Sequence, residues 1–457
     1  MRISIVIPTW NQWAVTERCL QALARHTPQP HEVIVVDNGS TDGTPQMLRS
    51  RFPAVRLVQN PVNVGFPRAA NQGLRAASGD LLVLLNNDTV VTPRWLTCLI
   101  RCLEEAPQAG LVGPVSNAVS GVQQVSVAYA SLADMEAFAT RFNGPDPSRW
   151  RQTVRLAGFC LLLSRRLYGS VGPLDEAFGL GNYEDDDYCL RAIAAGYRVW
   201  VAGDVFVHHD GSASFRLDGD RYRRLLARNR ALFLRKHGLR RYRWNPDPHL
   251  AAWLPGSPRR VVDVGCGLGA TGLELMRRGV AEVWGVTWDP AEARIAGRLL
   301  HRVVLVPERT GLPPGEIGPF AGAVISGGLD EFPDPVALLA RVLDLLEPGA
   351  PLVVQVLNEG HYSSPRFRSY LPAGLPAPEE GVEGVPVRRL RLDEFLGTLL
   401  RLGLEGIEVG TVHAPPPAAV EPAVRSVAAQ VAGPGEHPEQ VYADLCTWRF
   451  VARGRKP

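Results

Sequence analysis

The segment VIVVDNGSTDGTP, residues 33–45, decides the fold class of the first half of this 457-residue chain. Its four apolar residues form a short run that is typical of a buried strand and that stops at Asp37. Asn38-Gly39 is a turn dipeptide, and Thr44-Pro45 supplies an N-cap and a first-turn proline for a helix. A strand, a tight turn and a helix in this order predict a parallel α/β sheet with Asp37 at a strand end.

The same alternation of strand and helix signals continues along both halves of the chain. Residues 3–7 (ISIVI) and 81–85 (LLVLL) are predicted strands, and the second is apolar throughout, as in a strand that is buried on both faces. The pattern starts again with a strand at residues 260–264. We therefore expect two α/β domains and a linker, with boundaries at residues 1–240, 241–256 and 257–457.

Acidic and histidine residues follow several predicted strands of the first domain. Asp37 and Asp88 each end a strand, and the cluster EDDD at 184–187 and the pair His208-His209 come later. Because ligands of α/β sheets bind at the carboxyl ends of strands, we expect these side chains to share one edge. Displacement of a nucleoside diphosphate from a sugar needs such a set: a cation on a carboxylate, a carboxylate base and a group that binds the nucleoside base.

Each of these residues receives a role in that chemistry. Asp37 suits base binding, Asp88 a metal, Asp185 the general base and His209 a second metal ligand. His209 is preferred to His208 because Val205, Val207 and His209 alternate along one face of a strand. Each feature also has a structural interpretation, as a turn, a helix cap, a solvated acidic helix start or a structural histidine pair.

The first 240 residues resemble family 2 glycosyltransferases, through a series of motifs in the family's order. The matching pieces are IPTWN (7–11), VDNGSTDGT (36–44), NVGFPRAANQG (63–73), LNND (85–88), AGF (157–159), VGPLDEAF (171–178), EDDD with Arg191, and VHH (207–209). The resemblance implies a GT-A fold, inversion at the anomeric carbon and a bound Mn²⁺ or Mg²⁺ ion. Asn86 replaces the first aspartate of the family's Asp-x-Asp-like motif, so that Asp88 is the carboxylate left for the metal.

The resemblance also implies a set of site residues. The catalytic pair is Asp185, as the base, with Glu184. The residues implied for the nucleotide sugar are Pro8, Thr9, Asn11, Asp37, Asn38, Arg68, Asn71, Asn87 and Asp88. Those implied for the acceptor are Gly158 and Phe159, and those for the metal are Asp88 and His209, with His208 as second choice.

The second half is similar to class I S-adenosylmethionine-dependent methyltransferases with a Rossmann-like fold. VVDVGCGLGA, residues 261–270, puts three glycines between a strand and a helix, where backbone can approach a cofactor closely. The residues implied for S-adenosylmethionine are Asp263, Gly265, Gly267, Gly269 and Asp289. Thr287 stands where the family has a ribose-binding acidic residue. The domain is therefore predicted either to be an active methyltransferase or to be a degenerate scaffold.

Composition excludes several other classes. The net charge is +3, the cysteines number seven without a Cys-x-x-Cys pair, and Lys236 and Lys456 are the only lysines. These features speak against a nucleic-acid binder, a zinc site and lysine-based catalysis. With no apolar run of membrane-spanning length in the sequence, we expect a cytoplasmic protein. Arginines crowd residues 221–243, which suggests either contact with the inner face of the membrane or a helix that caps the domain.

Three functions compete at this stage. The first is transfer of a hexosyl or deoxyhexosyl group, from a donor expected to be UDP- or dTDP-linked, to a cell-surface glycan, a lipid-linked glycan or a protein. The second is a sugar-modifying methyltransferase with the first domain as its recruiter. The third is a non-enzymatic scaffold for glycan assembly. The acidic residues at the strand ends favour the first function.

Overall fold

The computed structural model of the chain forms two compact units, Met1–Gly238 and Leu239–Pro457. It describes residues 1–211, 219–307, 312, 317–327, 329, 332–359, 361, 390–414, 416, 418, 420–432 and 436–457. In the described residues, no helix combines the length and the apolar character needed to cross a bilayer.

The first unit contains ten strands and eight α-helices among the described residues. The strands are β1 (Ile3–Thr9), β2 (His31–Asp37), β3 (Arg56–Gln59), β4 (Leu81–Leu85), β5 (Thr89–Val90), β6 (Ala109–Val115), β7 (Arg151–Thr153), β8 (Cys160–Ser164), β9 (Arg198–Phe206) and β10 (His208–His209). The helices are α1 (Trp13–His26), α2 (Thr44–Arg51), α3 (Phe66–Ala76), α4 (Trp95–Glu105), α5 (Leu132–Phe142), α6 (Arg165–Val171), α7 (Glu184–Ala194) and α8 (Gly219–His237). Short 3₁₀ turns lie at Gly121–Gln123, Pro147–Arg149 and Glu176–Phe178.

Eight of these strands form one mixed sheet in the order β3-β2-β1-β4-β8-β6-β9-β7. Strands β3, β2, β1 and β4 are parallel, whereas β8 is antiparallel to both of its neighbours, β4 and β6. All five residues of β4 are buried, as its apolar sequence predicts for a central strand. Because β8 runs against β4, the start of β8 lies beside the end of β4.

The second unit contains seven strands and seven helices among the described residues. The strands are β11 (Arg260–Val264), β12 (Glu282–Thr287), β13 (Arg302–Leu305), β14 (Gly322–Ile325), β15 (Pro351–Leu357), β16 (Glu405–His413) and β17 (Thr447–Arg455). The helices are α9 (Pro248–Trp253), α10 (Ala270–Arg277), α11 (Pro290–Leu299), α12 (Pro335–Asp344), α13 (Leu392–Arg401), α14 (Glu421–Val431) and α15 (Pro438–Leu445).

The strands of the second unit form one sheet in the order β13-β12-β11-β14-β15-β17-β16. The first five are parallel, and β17 is antiparallel to both β15 and β16. Adjacent residues of β11, Val261 and Val262, enter two different hydrophobic cores, one on each face of the sheet. The α/β fold class predicted for both halves is thus confirmed.

The segment expected to be a linker, residues 241–256, is ordered as part of the second unit. It contains α9, in which Leu250 and Ala251 are buried in the core that also holds Val261. Asp247 caps α9 by accepting hydrogen bonds from the backbone N–H groups of His249 and Leu250. The boundary between the two units therefore falls at Gly238, before the expected linker.

Candidate active site

The end of β4 and the segment before β8 meet at one edge of the first sheet. Leu85 pairs with Cys160, and one step further the backbone N–H of Asn86 donates to the carbonyl of Phe159 at 2.8 Å. Residues 86–88 are therefore held against residues 157–159. Sequence motifs that lie about 70 residues apart form a single edge in this way.

Asp88 and His209 face each other across a small antiparallel ladder at this edge. Strand β5 directly follows Asp88, and β10 pairs with it so that His209 lies opposite Thr89. The Nε2 atom of His209 is 3.3 Å from Oδ1 of Asp88. Asn117 fixes the backbone of His209 with two hydrogen bonds of 3.0 Å, one to its N–H and one to its carbonyl.

The orientation of the His209 ring suits a metal ligand. Its Nδ1 atom is 2.8 Å from the carbonyl of Ala118, to which it donates, so that a neutral ring directs its Nε2 lone pair towards Asp88. Burial alone would lower the pKa of His209, but the adjacent Asp88 carboxylate raises it overall. A buried imidazole and carboxylate that converge on one point fit Mn²⁺ or Mg²⁺ as two of its ligands.

His208, the second choice for the metal, points away from Asp88. Its Nδ1 atom is 2.5 Å from the hydroxyl of Tyr129, and its Nε2 atom is 3.0 Å from Oδ1 of Asp210. Both ring nitrogens thus have protein partners that hold β10 in place. Among the described residues, no group of three or more histidine, cysteine or acidic side chains is arranged to bind a metal by itself. The Asp88–His209 pair would therefore need ligands from a substrate or water.

Asp185 is held at the same edge by two backbone N–H groups. Its Oδ2 atom accepts from the N–H of Gly158 at 2.7 Å, and its Oδ1 atom accepts from the N–H of Asp186 at 2.9 Å. It lies in the first turn of α7, where the helix dipole favours a negative charge. The side chain is only partly buried, so that its carboxylate is both fixed and accessible.

Glu184 is more deeply buried than Asp185. Its side chain is buried, and burial together with the adjacent Asp185 raises its pKa well above the ordinary value. Its Oε2 atom has no hydrogen-bond partner among the described residues. Burial therefore disfavours the charged form of Glu184, whereas the carboxylate of Asp185 is partly exposed and is held by two N–H groups.

Phe159 links the segment that holds Asp185 to the pair formed by Asp88 and His209. Its ring stacks on the imidazole of His209, with centroids 5.3 Å apart and an interplanar angle of 30°. Its neighbour Gly158 binds Asp185. The two carboxylates, 97 residues apart in the chain, are thus joined through two adjacent residues at the start of β8. Phe159 is almost completely buried, so its ring supports His209.

Among the residues predicted to bind the nucleotide, Asp37 offers a buried carboxylate oxygen. Asp37 ends β2, and β1 pairs with β2 so that Thr9 lies beside it. Its Oδ2 atom accepts from the N–H of Ser40 at 3.4 Å, whereas Oδ1 has no hydrogen-bond partner among the described residues. A fully buried acceptor of this kind fits an N–H group of a base.

Other predicted nucleotide residues use their side chains within the protein. The amide of Asn87 donates to the hydroxyls of Thr9 and Thr16 at 3.2 and 3.0 Å. The amide of Asn38 donates to Asn63 at 2.8 Å and accepts from the N–H of Val64 at 3.0 Å. These side chains shape the loops of the edge, and Thr16 is a member that the motifs did not indicate.

The remaining predicted residues of the first unit lie in β1, in α3 and on the loop that follows β1. Asn71 donates to the carbonyl of Leu174 at 2.9 Å and accepts from its N–H at 2.9 Å. Asn11 accepts from the N–H of Thr41 at 2.9 Å, and Pro8 is buried within β1. Arg68 is exposed, with its Nε atom 3.9 Å from Glu176, and is thus available to a charged ligand.

Helix α8 holds the loop that leads into α7. The buried Asn229 donates to the carbonyls of Phe178, Gly181 and Asn182 at 2.8, 2.8 and 3.1 Å. The side chains of Lys236 and His237 reach Asp187 of α7 at 2.7 and 2.9 Å. The inner face of this arginine-rich helix thus packs inside its own unit, which favours the capping interpretation made from the sequence.

Comparison with known proteins finds one family match in each half of the chain. The model of the glycosyl transferase family 2 matches residues 4–169, and a methyltransferase domain model matches residues 222–393. The two matched segments together follow the order of a glycosyltransferase domain and a methyltransferase domain. The glycosyltransferase match includes Asp88 but ends before Asp185 and His209, so their placement at the site comes from the geometry described above.

The first half of the chain is similar to several glycosyltransferases. The chain is 29% identical over 242 residues to an N-acetylglucosaminyl-diphospho-decaprenol L-rhamnosyltransferase of Mycobacterium tuberculosis, a match that covers 47% of this chain and 78% of that protein. It is 24% identical to glycosyltransferase AglE of Haloferax volcanii, over 65% of this chain and 95% of AglE. Among solved structures, a mannosyltransferase of Pyrobaculum calidifontis in complex with GDP-Man and Mn²⁺ is 22% identical, with a TM-score of 0.39; the match covers 53% of this chain and 65% of that one.

The methyltransferase domain keeps the glycine loop of its fold. Gly265, Gly267 and Gly269 have positive φ angles of 75, 54 and 91° between β11 and α10, which is the conformation that favours glycine. No atom lies closer than 3.9 Å to a Cβ built on Gly267. The backbone of this loop could therefore approach a ligand.

The polar side chains at the positions predicted to bind S-adenosylmethionine form hydrogen bonds within the protein. Asp289 caps α11 by accepting from the N–H of Ala291 at 2.8 Å. Thr287 donates its hydroxyl to Glu292 at 2.7 Å. Asp263 is completely buried, and burial raises its pKa to about 7 although Ser326 donates to it. These residues, as they are arranged, do not fit the cofactor.

Proposed function

We propose that the glycosyltransferase domain transfers a hexosyl or deoxyhexosyl group, with inversion, from a nucleoside-diphosphate donor to a hydroxyl of a glycan, lipid-linked glycan or protein. Asp185 is the general base, and Asp88 and His209 hold Mn²⁺ or Mg²⁺. The observation that carries this proposal is the continuous contact from Asp185 through Gly158 and Phe159 to His209 and Asp88. It supports a base and a cation site at one edge.

The hydrogen bonds of Asp185 support its role as the base. A carboxylate has about four lone-pair sites, and two are used by the N–H groups of Gly158 and Asp186. The remaining sites can accept the proton of an attacking hydroxyl. Burial and the adjacent Asp185 raise the pKa of Glu184, which makes the buried Glu184 a poorer candidate for this step than the partly exposed Asp185.

The donor would be held by the edge formed by β1, β2 and β4. Asp37 would accept a hydrogen bond from the base, for which uracil and thymine have a suitable N–H group, and the exposed Arg68 would contact the phosphates. When bound, the cation on Asp88 and His209 would neutralise charge on the leaving diphosphate. We therefore propose a UDP- or dTDP-linked sugar as the donor.

The acceptor is proposed from the relatives. The rhamnosyltransferase to which this chain is similar is named for a lipid-linked diphosphate sugar, which supports a lipid-linked glycan among the three acceptor classes. Gly158 contributes to the acceptor side because its backbone binds the base that would deprotonate the acceptor.

The proposal is tested by replacing the base and measuring transfer and donor binding separately. A screen of nucleotide sugars with Mn²⁺ should first identify a donor by its stabilisation of the protein against heat. Asp185→Asn should keep this stabilisation while the rate of sugar transfer falls by about 10³-fold or more, because the isosteric amide cannot accept the proton. Glu104→Gln, an exposed change on α4, serves as the control and should transfer at the wild-type rate.

Two outcomes would count against the proposal. Transfer by Asp185→Asn at nearly the wild-type rate would remove Asp185 from its role. Absence of both stabilisation and donor hydrolysis with every nucleotide sugar would favour a non-enzymatic assembly protein.

A further inference from the structure

The indole of Trp288 lies on the glycine loop of the methyltransferase domain. Trp288 directly follows β12, is 9% exposed and belongs to a hydrophobic core of this domain. Its outermost ring carbon is 3.2 and 3.4 Å from the positions that a Cβ would take on Gly265 and Gly327. The ring of Phe332 packs against it, with centroids 4.9 Å apart. An aromatic ring thus covers the place where the ends of β11 and β14 meet.

The guanidinium of Arg241 also packs against this ring. Its Cζ atom is 5.4 Å from the centre of Trp288, and its Nε atom donates to Oε1 of Glu292 at 2.9 Å. Both charged side chains are buried, with 9 and 1% of their surface exposed. The same oxygen of Glu292 is 3.9 Å from a Cβ placed on Gly267, so the ion pair reaches the glycine loop.

The segment that carries Arg241 crosses the carboxyl ends of several strands. We call residues 240–247 the strap. The N–H of Arg240 donates to Asp289 at 3.4 Å, beyond β12. Arg243 donates to the carbonyl of Gly327 at 3.1 Å, beyond β14, and Asp247 accepts from Gln355 of β15 at 2.7 Å.

We propose that the strap and Trp288 fill the edge on which a methyltransferase domain of this fold would carry S-adenosylmethionine, so that this domain does not bind the cofactor. Ligands of parallel α/β sheets bind at the carboxyl ends of the strands, and here those ends are covered by the chain itself. Entry of the cofactor would expose a packed indole and separate a buried ion pair, which is strongly unfavourable. The inference does not depend on the function proposed for the glycosyltransferase domain.

The available acceptors support the same conclusion. A carboxylate can bind the hydroxyl groups of a ribose, and Glu292 is a carboxylate that lies against the glycine loop. Its two oxygens accept from Arg241 and Thr287. Arg241 therefore takes the position in which a ligand would meet this carboxylate, and the domain is filled by its own residues.

The first experiment measures cofactor binding by the full-length chain. Titration with S-adenosylmethionine up to 1 mM should give no saturable heat and no increase in melting temperature. A dissociation constant below about 100 μM would overturn the proposal, since binding at that strength requires an open edge.

The second experiment tests whether Trp288 and Arg241 are internal parts of the domain. Trp288→Ala should lower the melting temperature of the methyltransferase domain by several degrees, whereas Leu400→Ala, which truncates a side chain that is 64% exposed, should leave it unchanged. Arg241→Ala, which removes the arginine of the buried ion pair with Glu292, should accelerate amide hydrogen exchange in the strap and in α11 at least tenfold. Unchanged stability in the first variant, or unchanged exchange in the second, would show that these residues line an open site and would overturn the proposal.

Discussion

Gly158 sets the position of the proposed base because no side chain separates it from Asp185. A Cβ at Gly158 would lie 3.1 Å from the Cβ of Asp185 and 3.2 Å from its Oδ2 atom. These contacts are tighter than ordinary van der Waals separations, so a methyl group would push the carboxylate by a few tenths of an ångström.

We expect Gly158→Ala to reduce the rate of sugar transfer by about 10- to 100-fold, because small displacements of a catalytic group are costly. Binding of the donor should be unchanged, because Asp185 is the proposed catalytic group that Gly158 contacts. Gly169→Ala is a matched control: no atom lies within 4 Å of its Cβ position, and its transfer rate should equal that of the wild type. Steady-state kinetics with varied donor would reveal the loss in kcat, and an equal loss in both variants would refute this role of Gly158.

At this scale, the predicted charged residues and the predicted amides differ in the contacts that the structure gives them. Asp88, Asp185 and His209 remain predicted site residues, and the structure places them at one edge of the sheet. The prediction of His209 used the alternation of residues along one face of a strand. The amides of Asn38 and Asn71 were predicted to bind the nucleotide, yet they hold Val64 and Leu174. Leu174 is 103 residues from Asn71, and such a pairing leaves no local signal.

Among the elements, α7 and α8 form a pair that is held by Asp187. Burial alone would raise the pKa of Asp187, but hydrogen bonds and charges from His237, Arg191 and Lys236 lower it to about 2. The ordinary value is 3.8. A group whose pKa is lower in the folded state stabilises that state above its unfolded pKa and stops doing so as the pH falls through the folded value.

We expect Asp187→Asn to destabilise α7 by about 2 kcal/mol at pH 7, since each unit of pKa shift corresponds to about 1.4 kcal/mol. The difference from the wild type should be full above about pH 5, shrink as the pH falls towards 2, and be nearly lost by about pH 1, where Asp187 is protonated in both states. Hydrogen exchange of the α7 amides, corrected for intrinsic rates, measures it. Glu105→Gln, which removes an exposed ion pair with Arg101 on α4, should leave the exchange of the α7 amides unchanged at any pH. A difference for Asp187→Asn that is constant from pH 7 to pH 2 would contradict the linkage.

The sequence predicted α8 as a basic helix but not its contact with α7. Its arginines are conspicuous, whereas the contact depends on the single buried amide of Asn229 and on Lys236 and His237 near the end of the helix. A buried asparagine in a mostly charged helix does not differ, in sequence, from an exposed one. The function of the helix therefore becomes evident only when its partner loop is known.

On the scale of the whole molecule, the unit Met1–Gly238 contains every residue of the proposed glycosyltransferase site. We expect a chain that ends at Gly238 to fold and to be stabilised by Mn²⁺ with UDP or dTDP as strongly as the full-length protein. A chain that ends at residue 211 lacks α8, so the loop before α7 loses the hydrogen bonds of Asn229.

The shorter chain should consequently melt at a lower temperature and transfer sugar more slowly, by at least tenfold. Thermal melts and transfer assays of the two truncated chains provide the comparison. Equal behaviour of both would show that α8 is dispensable.

The segment expected to be a linker shows what composition alone cannot predict at this scale. Residues 241–256 are rich in arginine, tryptophan and proline, which favoured a linker. Their contacts, however, are made with strand ends far along the chain.

The two-residue ladder between β5 and β10 has a consequence for how this protein matures. The ladder joins Thr89 to His209. The central strands β1, β2 and β4 are therefore synthesised, and can pair, long before His209 is added to the chain. A ladder this short cannot persist alone and depends on the rest of the unit having formed. The proposed cation site, which needs both Asp88 and His209, would thus be absent from any nascent chain shorter than 209 residues.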